Sequence, residues 1–414
     1  MFGTFYKCCT RQVLLVGALC GAFAAPVNAL VQDISAVFNP DPANPLKNEF
    51  VNTTPESGVC PWHIPARCKQ LNIFSLRIST LFAHSKGPIY PNPKDPRQGA
   101  MWKVPSEWRD VQVTHTGTGE VSTVQMRIAG IGHRMDMSDS VGSWELPGVR
   151  WDSQWRNAPS PCEGTGYIAA GTRMIYFFWL VPEGAGVCSR QPGTEFARLQ
   201  YAEFEFAYAL KTPNPLGMSS GQYTGTLKYS IGPGRDFDFG DNMDVFHDAL
   251  ILNFTLDVQH TLKVEVPPGG NRVELIPQGG WQAWLQRNRR PERLFRDQTF
   301  NISASSRFKM QLDCQYSDGG NQCLLYEPNS GGAVPLNISV TLPSGLNDAA
   351  GQPVSRRPLL RDGSGTELFQ PGHYVDRKPG QLHFEIAREH VEEMLTGVAK
   401  TYSGNVTVIW NSEI

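Results

Sequence analysis

The segment from Trp144 to Arg156, WELPGVRWDSQWR, concentrates residue types that bind sugars. Flat aromatic rings pack against the C–H faces of a sugar, while charged and amide groups pair with its hydroxyls. Proline and glycine within the segment favour an exposed loop. The competing interpretation is that the tryptophans belong to the core, since large rings are usually mostly buried. We predict ligand contacts from five of these side chains: Trp144, Arg150, Trp151, Asp152 and Trp155.

A second candidate is the acidic stretch from Asp236 to Asp244, which carries four carboxylates. Carboxylate oxygens suit calcium, but their spacing does not follow the EF-hand pattern. Alternation of Phe237 and Phe239 with the acids describes equally well a strand edge with its acids outward. The sequence leaves calcium binding here open, and we predict no metal site and no cofactor.

Residues with catalytic spacing are missing from the sequence. His84, His115 and His133 are scattered and form no HExxH pattern, and no GxSxG, Walker or dinucleotide motif occurs. The formal net charge of −2, without a basic tract, argues against a nucleic-acid partner. We therefore predict a protein that is not an enzyme and does not bind nucleic acid.

The N-terminus has the composition of a signal peptide. Lys7 and Arg11 provide a basic start, and Val13 to Ala25 form an apolar run too short to span a bilayer, which needs about 20 residues. Val27-Asn28-Ala29 fits a small-residue cleavage site. We predict a signal peptide over residues 1–29 and a chain that is exported from the cytoplasm.

Six of the nine cysteines follow this signal peptide. An even number of cysteines in an exported chain indicates disulfides, because the compartment is oxidising. Zinc would need soft ligands clustered at CxxC-like spacing, which the sequence does not offer. Sequence alone does not choose among the possible pairings, but short loops make three of them the simplest: Cys60–Cys68, Cys162–Cys188 and Cys314–Cys323.

Short runs that alternate apolar with polar residues recur between frequent glycines and prolines, and they predict half-buried strands. The clearest runs are Tyr201–Leu210, Gln222–Ile231, Leu262–Val266, Leu336–Leu342, Leu382–Ile386 and Val406–Trp410. Ala387–Leu395 is the one good helix candidate. The pattern predicts an all-β chain of two β-sandwich domains. A turn-rich stretch before Thr255 to His260 suggests an N-terminal domain over 30–256 and a second domain over 257–414.

The C-terminal run TYSGNVTVIW, Thr401 to Trp410, resembles the closing strand of chaperone–usher pilus subunits, which end on a Tyr-x-x-x-Val-x-Val alternation. The runs Phe308–Cys314 and Val334–Val340 fit the same domain. A larger domain followed by a pilin-like one is similar to the two-domain adhesins at pilus tips. Glu413, where pilins carry an aromatic residue, and the central position of Cys314–Cys323 indicate a divergent branch.

This resemblance implies two immunoglobulin-like β-sandwich domains, the C-terminal one an incomplete pilin-type sandwich lacking its last strand. Val406, Val408 and Trp410 would face a groove that another protein's strand fills. The implied partners are a periplasmic pilus chaperone, an outer-membrane usher, an adjacent pilus subunit and a host receptor, here a glycan. The implied location is the periplasm in transit and then the fimbrium at the cell surface.

Two alternatives remain open at this point. Leu30 to Phe38 alternates loosely and could be a donor strand offered to another subunit, which would make the chain a structural pilus subunit. The simpler interpretation is a first strand of the N-terminal domain. A secreted carbohydrate-active enzyme is the second alternative, and it would need a pair of carboxylates in a cleft.

Overall fold

Strands dominate the computed structural model, which describes residues 28–91, 94–287, 290–397 and 400–412. The predicted all-β sandwich class is confirmed, because the helices are few and none is longer than eight residues among those described. None of them has the length and apolarity to cross a membrane. Apart from Asn28 and Ala29, the predicted signal peptide lies outside the described residues.

The first half of the chain forms fourteen strands, three α-helices and three 3-10 helices in its described part. The strands and α-helices are β1 (Ala29–Phe38), β2 (Val51–Asn52), α1 (Val59–Trp62), α2 (Pro65–Leu71), β3 (Ile73–Ile78), β4 (Ala83–Ser85), β5 (Ala100–Trp102), β6 (Arg109–His115), β7 (Val121–Met137), α3 (Trp151–Arg156), β8 (Glu163–Ala170), β9 (Met174–Leu180), β10 (Cys188–Arg190), β11 (Leu199–Lys211), β12 (Gly221–Ser230), β13 (Met243–Val245) and β14 (Ala249–Val258). The 3-10 helices are Pro96–Gln98, Val141–Trp144 and Pro215–Gly217.

Twelve of these strands form one sheet in the order β13-β4-β11-β7-β6-β12-β14-β1-β2, with β3 on β11, β9 on β7 and β8 on β9. β5 and β10 pair separately. The core between the layers extends from Leu30 to Val258 and is rich in aromatic rings. A smaller cluster lies under α1 and α2 and includes Tyr176 and Phe178 of β9.

The first strand lies inside this sheet. β1 pairs in parallel with β14 over its whole length, from Ala29 opposite Ala249 to Phe38 opposite Val258. Its inward residues Ile34, Ala36 and Phe38 are buried. Leu30 to Phe38 is therefore a strand of its own chain's N-terminal sheet, as the simpler interpretation of the sequence had it.

The second half begins after a short connection over residues 259–261. Its elements are β15 (Leu262–Glu265), β16 (Ile276–Pro277), α4 (Gly280–Arg287), β17 (Leu294–Ala304), β18 (Lys309–Cys314), β19 (Cys323–Tyr326), β20 (Ala333–Thr341), β21 (Leu346–Asp348), β22 (Arg357–Pro358), β23 (Phe369–Pro371), β24 (Val375–Ile386), α5 (Arg388–Met394) and β25 (Val406–Asn411).

Seven of these strands form a sheet in the order β15-β17-β24-β20-β19, with β16 on β17 and β22 on β20. β18 pairs with β25, and β21 with β23. A separate core fills the space between them and includes Phe300, Phe308 and Val340. Among the described residues, no strand before Val258 pairs with a strand after Leu262.

The observed elements agree with the strongest sequence patterns. Tyr201–Leu210 lies in β11, Gln222–Ile231 in β12, and the predicted helix at Ala387–Leu395 is α5. Helices α1 to α4, of four to eight residues each, were not predicted. The three disulfides are the pairs that the short loops favoured: Cys60–Cys68, Cys162–Cys188 and Cys314–Cys323.

Candidate functional site

An open cleft of about 450 Å³ runs along the C-terminal sandwich between β25 and β15. One wall is β25, which pairs with β18 alone among the described residues. The other wall is β15, which pairs with β17 alone within the same part of the chain, together with the loop that follows it. Two strand edges therefore face one cleft without a strand between them.

The lining of the cleft is mainly apolar. Several of its hydrophobic side chains are only half-buried although they pack against the core: Val264, Leu275, Leu325, Phe384, Val406, Val408 and Trp410. Val266 at the rim is 49% exposed. Fully buried Phe300 and nearly buried Leu382 lie deeper. The core of this sandwich thus reaches solvent along one side.

All three predicted groove residues line this cleft. Val406, Val408 and Trp410 occupy alternate positions of β25, opposite Cys314, Leu312 and Met310 of β18. The Trp410 ring contacts Phe300 at 5.1 Å and Phe308 at 5.7 Å between centroids. Residues i and i+2 of a strand share a face, so the Val-x-Val-x-Trp spacing places all three side chains on the cleft side.

The backbone of β25 also presents an edge to the cleft. The Gln315 N–H donates to the Asn405 carbonyl at 2.9 Å, one step before the β18–β25 register begins. In an antiparallel ladder every second residue bonds to the neighbouring strand. Thr407 and Ile409 therefore bond to β18, whereas the N–H and C=O groups of Val406, Val408 and Trp410 point towards the cleft.

The predicted sugar-binding segment is folded rather than looped, and two of its tryptophans are core residues. Trp144 and Trp155 are fully buried, with ring centroids 4.8 Å apart, and Trp155 stacks on Trp179 at 5.3 Å. The Trp144 Nε1–H donates to the Met137 sulfur at 2.8 Å. Neither ring is accessible to a ligand. Both tryptophans are core residues, which was the competing interpretation of the sequence.

The other three candidates of this segment remain near the surface. Arg150 is exposed and pairs with Asp152 at 3.3 Å. Trp151 is half-buried and packs against the core. Within helix α3, the inner face buries Gln154 and Trp155, whereas the N-terminal end, with Trp151 and Asp152, stays accessible. Ligand contact by Arg150, Trp151 and Asp152 stays a prediction.

Three of the four carboxylates in the acidic stretch pair with arginines. Arg97 contacts Asp238 and Asp241, both at 2.7 Å, and Arg109 pairs with Asp236. Burial opposes the ionisation of Asp238, but the hydrogen bond from Arg97 and those from the Gly240 and Gly234 N–H groups hold its pKa below the usual value. In the described part of the chain, no group of three metal-ligating side chains converges.

The three scattered histidines contact different neighbours. His84 stacks on Phe246, His115 Nε2 lies 2.9 Å from the Ser220 carbonyl, and His133 stacks on Tyr201. Burial lowers the pKa of His133 to about 3, so this ring is neutral at physiological pH.

A hydroxyl, an imidazole and a carboxylate do line up on the C-terminal sheet. Thr341 Oγ1 lies 2.8 Å from His383 Nε2, and His383 Nδ1 lies 2.7 Å from Asp297 Oδ1. Thr341 Oγ1 also accepts the Arg356 N–H at 3.0 Å. His383 borders a cleft of about 550 Å³, but Thr341 does not line it. The chain of contacts ties β17, β24 and β20 together and leaves the hydroxyl away from the cleft.

A buried carboxylate that sequence reasoning missed organises the N-terminal sheet near α1. Glu205 is fully buried and accepts three hydrogen bonds: from Arg77 Nε at 3.0 Å, from the Tyr176 hydroxyl at 2.6 Å and from the Val59 N–H at 2.6 Å. Burial and the adjacent carboxylate raise the pKa of Tyr176. Gly58 precedes this contact, and a Cβ there would collide with the Glu205 carboxylate.

Comparisons with known proteins return structural neighbours only. No family model and no curated protein matches the chain. One neighbour is from a chaperone–tip adhesin complex of CFA/I fimbriae, at 12% identity and a TM-score of 0.27, covering 94% of this chain and 97% of the other. CfaE, the adhesive subunit of CFA/I fimbria of enterotoxigenic Escherichia coli, has 12% identity, a TM-score of 0.26 and 93% coverage of both. The CsuC–CsuE complex from archaic Csu pili of Acinetobacter baumannii has 10% identity, a TM-score of 0.21 and coverage of 94% and 99%.

Proposed function

We propose that this chain is an adhesin subunit of a chaperone–usher pilus, joined to the pilus by a strand that another protein inserts into its C-terminal sandwich. The observation that carries the proposal is the apolar cleft between β25 and β15, into which the outer edge of β25 faces. The Val406–Trp410 alternation, by which the sequence resembles pilus subunits, forms one wall of it.

A free edge beside half-buried hydrophobic side chains is a liability, because such edges pair with other chains. An extended segment laid along β25 would accept and donate the backbone hydrogen bonds that its edge leaves open. Its alternate side chains would cover Val408, Phe384 and Trp410, which are half-buried in the chain alone. The cleft therefore has the chemistry of a site for one apolar β-strand.

A sandwich with an unfilled strand position requires partners that supply the strand. A periplasmic chaperone would supply the strand during export, and an adjacent pilus subunit would replace it at the outer-membrane usher. The resulting location is the periplasm in transit and then the fimbrium on the cell surface, with the signal peptide over residues 1–29 directing export.

The position of β1 favours a tip adhesin over an internal subunit. Leu30 to Phe38 pairs with β14 of the chain's own sheet, from Leu30 opposite Leu250 to Phe38 opposite Val258. Donating this segment to a neighbour would remove the strand that pairs with β14 and would expose the buried Phe38 and Ile34. The N-terminal domain, over residues 30–256, is then left to bind a receptor, for which we propose a glycan and no catalysis.

The test is a donor-strand fusion to the full chain. A ten-residue peptide that alternates apolar and polar residues, fused after Ile414 through a glycine–serine linker, is expected to raise the melting temperature of the C-terminal transition by about 10 °C, which corresponds to about 4 kcal/mol of added burial. The matched control carries the same residues with the apolar positions shifted by one. Equal melting temperatures for the fused, control and unfused proteins would show that the C-terminal sandwich is already complete and would contradict the proposal.

A further inference from the structure

Trp62 is the only tryptophan among the described residues that is exposed, with 59% of its surface accessible. It is the last residue of α1, a single turn that the Cys60–Cys68 disulfide ties to α2. The indole presents a large apolar surface to water, and burial of this surface by a ligand would lower the free energy. The outer face of this ring is therefore available to a ligand that stacks on it.

The inner face of the Trp62 ring rests on a guanidinium. The Arg77 guanidinium carbon lies 5.1 Å from the centre of the Trp62 ring and 4.4 Å from that of Tyr176, so Arg77 is in cation–π contact with both rings. The same guanidinium donates to the buried Glu205, which also accepts the N–H of Val59, the first residue of α1. One carboxylate therefore fixes both the turn that carries Trp62 and the cation beneath its ring.

This anchoring makes the outer face of Trp62 a preorganised surface. The Cys60 N–H donates to Ser75 Oγ at 3.2 Å, which adds a further link between α1 and β3. A ligand that stacks on the ring would not have to immobilise it, and such preorganisation reduces the entropic cost of binding. The ring of His63, the next residue along the chain, lies 4.4 Å from that of Tyr167.

The two arginines on the strands behind the ring, Arg77 and Arg134, are both paired with carboxylates. Arg77 is 3.0 Å from Glu205 and 3.8 Å from Glu203, and Arg134 pairs with Asp136 at 3.3 Å and with Glu203 at 3.8 Å. Both guanidiniums are thus balanced by carboxylates, so neither is available to hold the carboxylate of an acidic sugar. Glu203 is partly exposed and can accept hydrogen bonds from hydroxyls.

We infer that the outer face of Trp62 binds the apolar C–H face of a neutral pyranose, with the receptor of this protein being a neutral glycan. The inference rests on the adhesin function proposed above and places a further sugar contact on α1, outside the Trp144–Arg156 segment. A flat aromatic surface with hydroxyl acceptors beside it is the arrangement that sugars of this kind require.

The test is a titration of the full chain with methyl β-galactopyranoside, methyl β-glucopyranoside and N-acetylneuraminic acid. Binding is detected by saturation-transfer NMR. Wild type is expected to bind at least one neutral glycoside in preference to N-acetylneuraminic acid. Trp62→Ala is expected to weaken this binding about tenfold or more, since truncation of a tryptophan at a contact centre costs most of the local binding energy. Trp62→Phe should retain most of it.

The matched control is Tyr90→Ala, which removes another half-exposed aromatic ring of the same domain and should leave binding unchanged. Unchanged binding by Trp62→Ala, no binding of either neutral glycoside by wild type, or preference for N-acetylneuraminic acid would each overturn the inference. The donor-strand melting shift, measured on the same proteins, reports on pilus assembly separately, so failure of the sugar site leaves that result standing.

Discussion

Replacing Val408 by lysine is expected to weaken binding of a complementing strand by about a thousandfold, equivalent to about 4 kcal/mol. Val408 lies in the middle of β25 and lines the cleft, where it is half-buried in the chain alone. An inserted strand would cover it, and an ammonium group there would lose its water without gaining a partner. The measurement is a titration with the donor peptide in trans, followed by thermal denaturation.

The matched control is Ile409→Lys, the neighbouring position of the same strand. Ile409 is also half-buried, but it does not line the cleft. This variant is expected to bind the donor peptide with nearly wild-type affinity. Without peptide, both variants should melt within a few degrees of each other. Equal loss of peptide binding in both variants would mean that the cleft face of β25 is not where the strand docks.

Removing the Glu205 carboxylate is expected to cost about 3–5 kcal/mol of stability in the N-terminal domain, the range for a buried charge left without its partner. Glu205→Ala would leave the Arg77 guanidinium, whose side chain is only 17% exposed, without its main counter-charge. It would also strip the Tyr176 hydroxyl and the Val59 N–H of their acceptor. Chemical denaturation followed by near-ultraviolet circular dichroism reports this transition.

Glu203→Ala is the control for this prediction. Glu203 lies two positions along β11, is 22% exposed and approaches Arg77 only to 3.8 Å. Its loss should cost no more than about 1 kcal/mol, as for other exposed ion pairs. A Glu205→Ala protein as stable as Glu203→Ala would show that the buried network does not hold α1 in place.

Strand patterns were predictable where apolar and polar side chains alternate along the chain. The alternation in Gln222–Ile231 and Val406–Trp410 follows from the two-residue period of a strand, whereas β11 buries both faces from Phe204 to Ala209. The cysteine pairs were favoured because each closes a short loop. These features depend on residues that are near one another in the chain.

The candidate sites were harder to predict because they depend on distant residues. Glu205 meets Arg77 and Val59 across separations of 128 and 146 residues, and nothing in the local sequence distinguishes it from an exposed glutamate. Trp144 and Trp155 stand in a proline- and glycine-containing segment that suggested a loop, yet aromatic packing buries both rings. Trp62 was not predicted as a ligand contact because its exposure depends on the position of α1 on the sheet.

The central claim is that the C-terminal sandwich lacks one strand beside β25, and amide hydrogen exchange tests it most directly. In the free protein, the N–H groups of Val406, Val408 and Trp410 are expected to exchange rapidly, while those of Thr407 and Ile409, which bond to β18, are protected. Adding the donor peptide should protect all five. Protection of Val406, Val408 and Trp410 in the free protein, or their continued rapid exchange with peptide bound, would contradict the account.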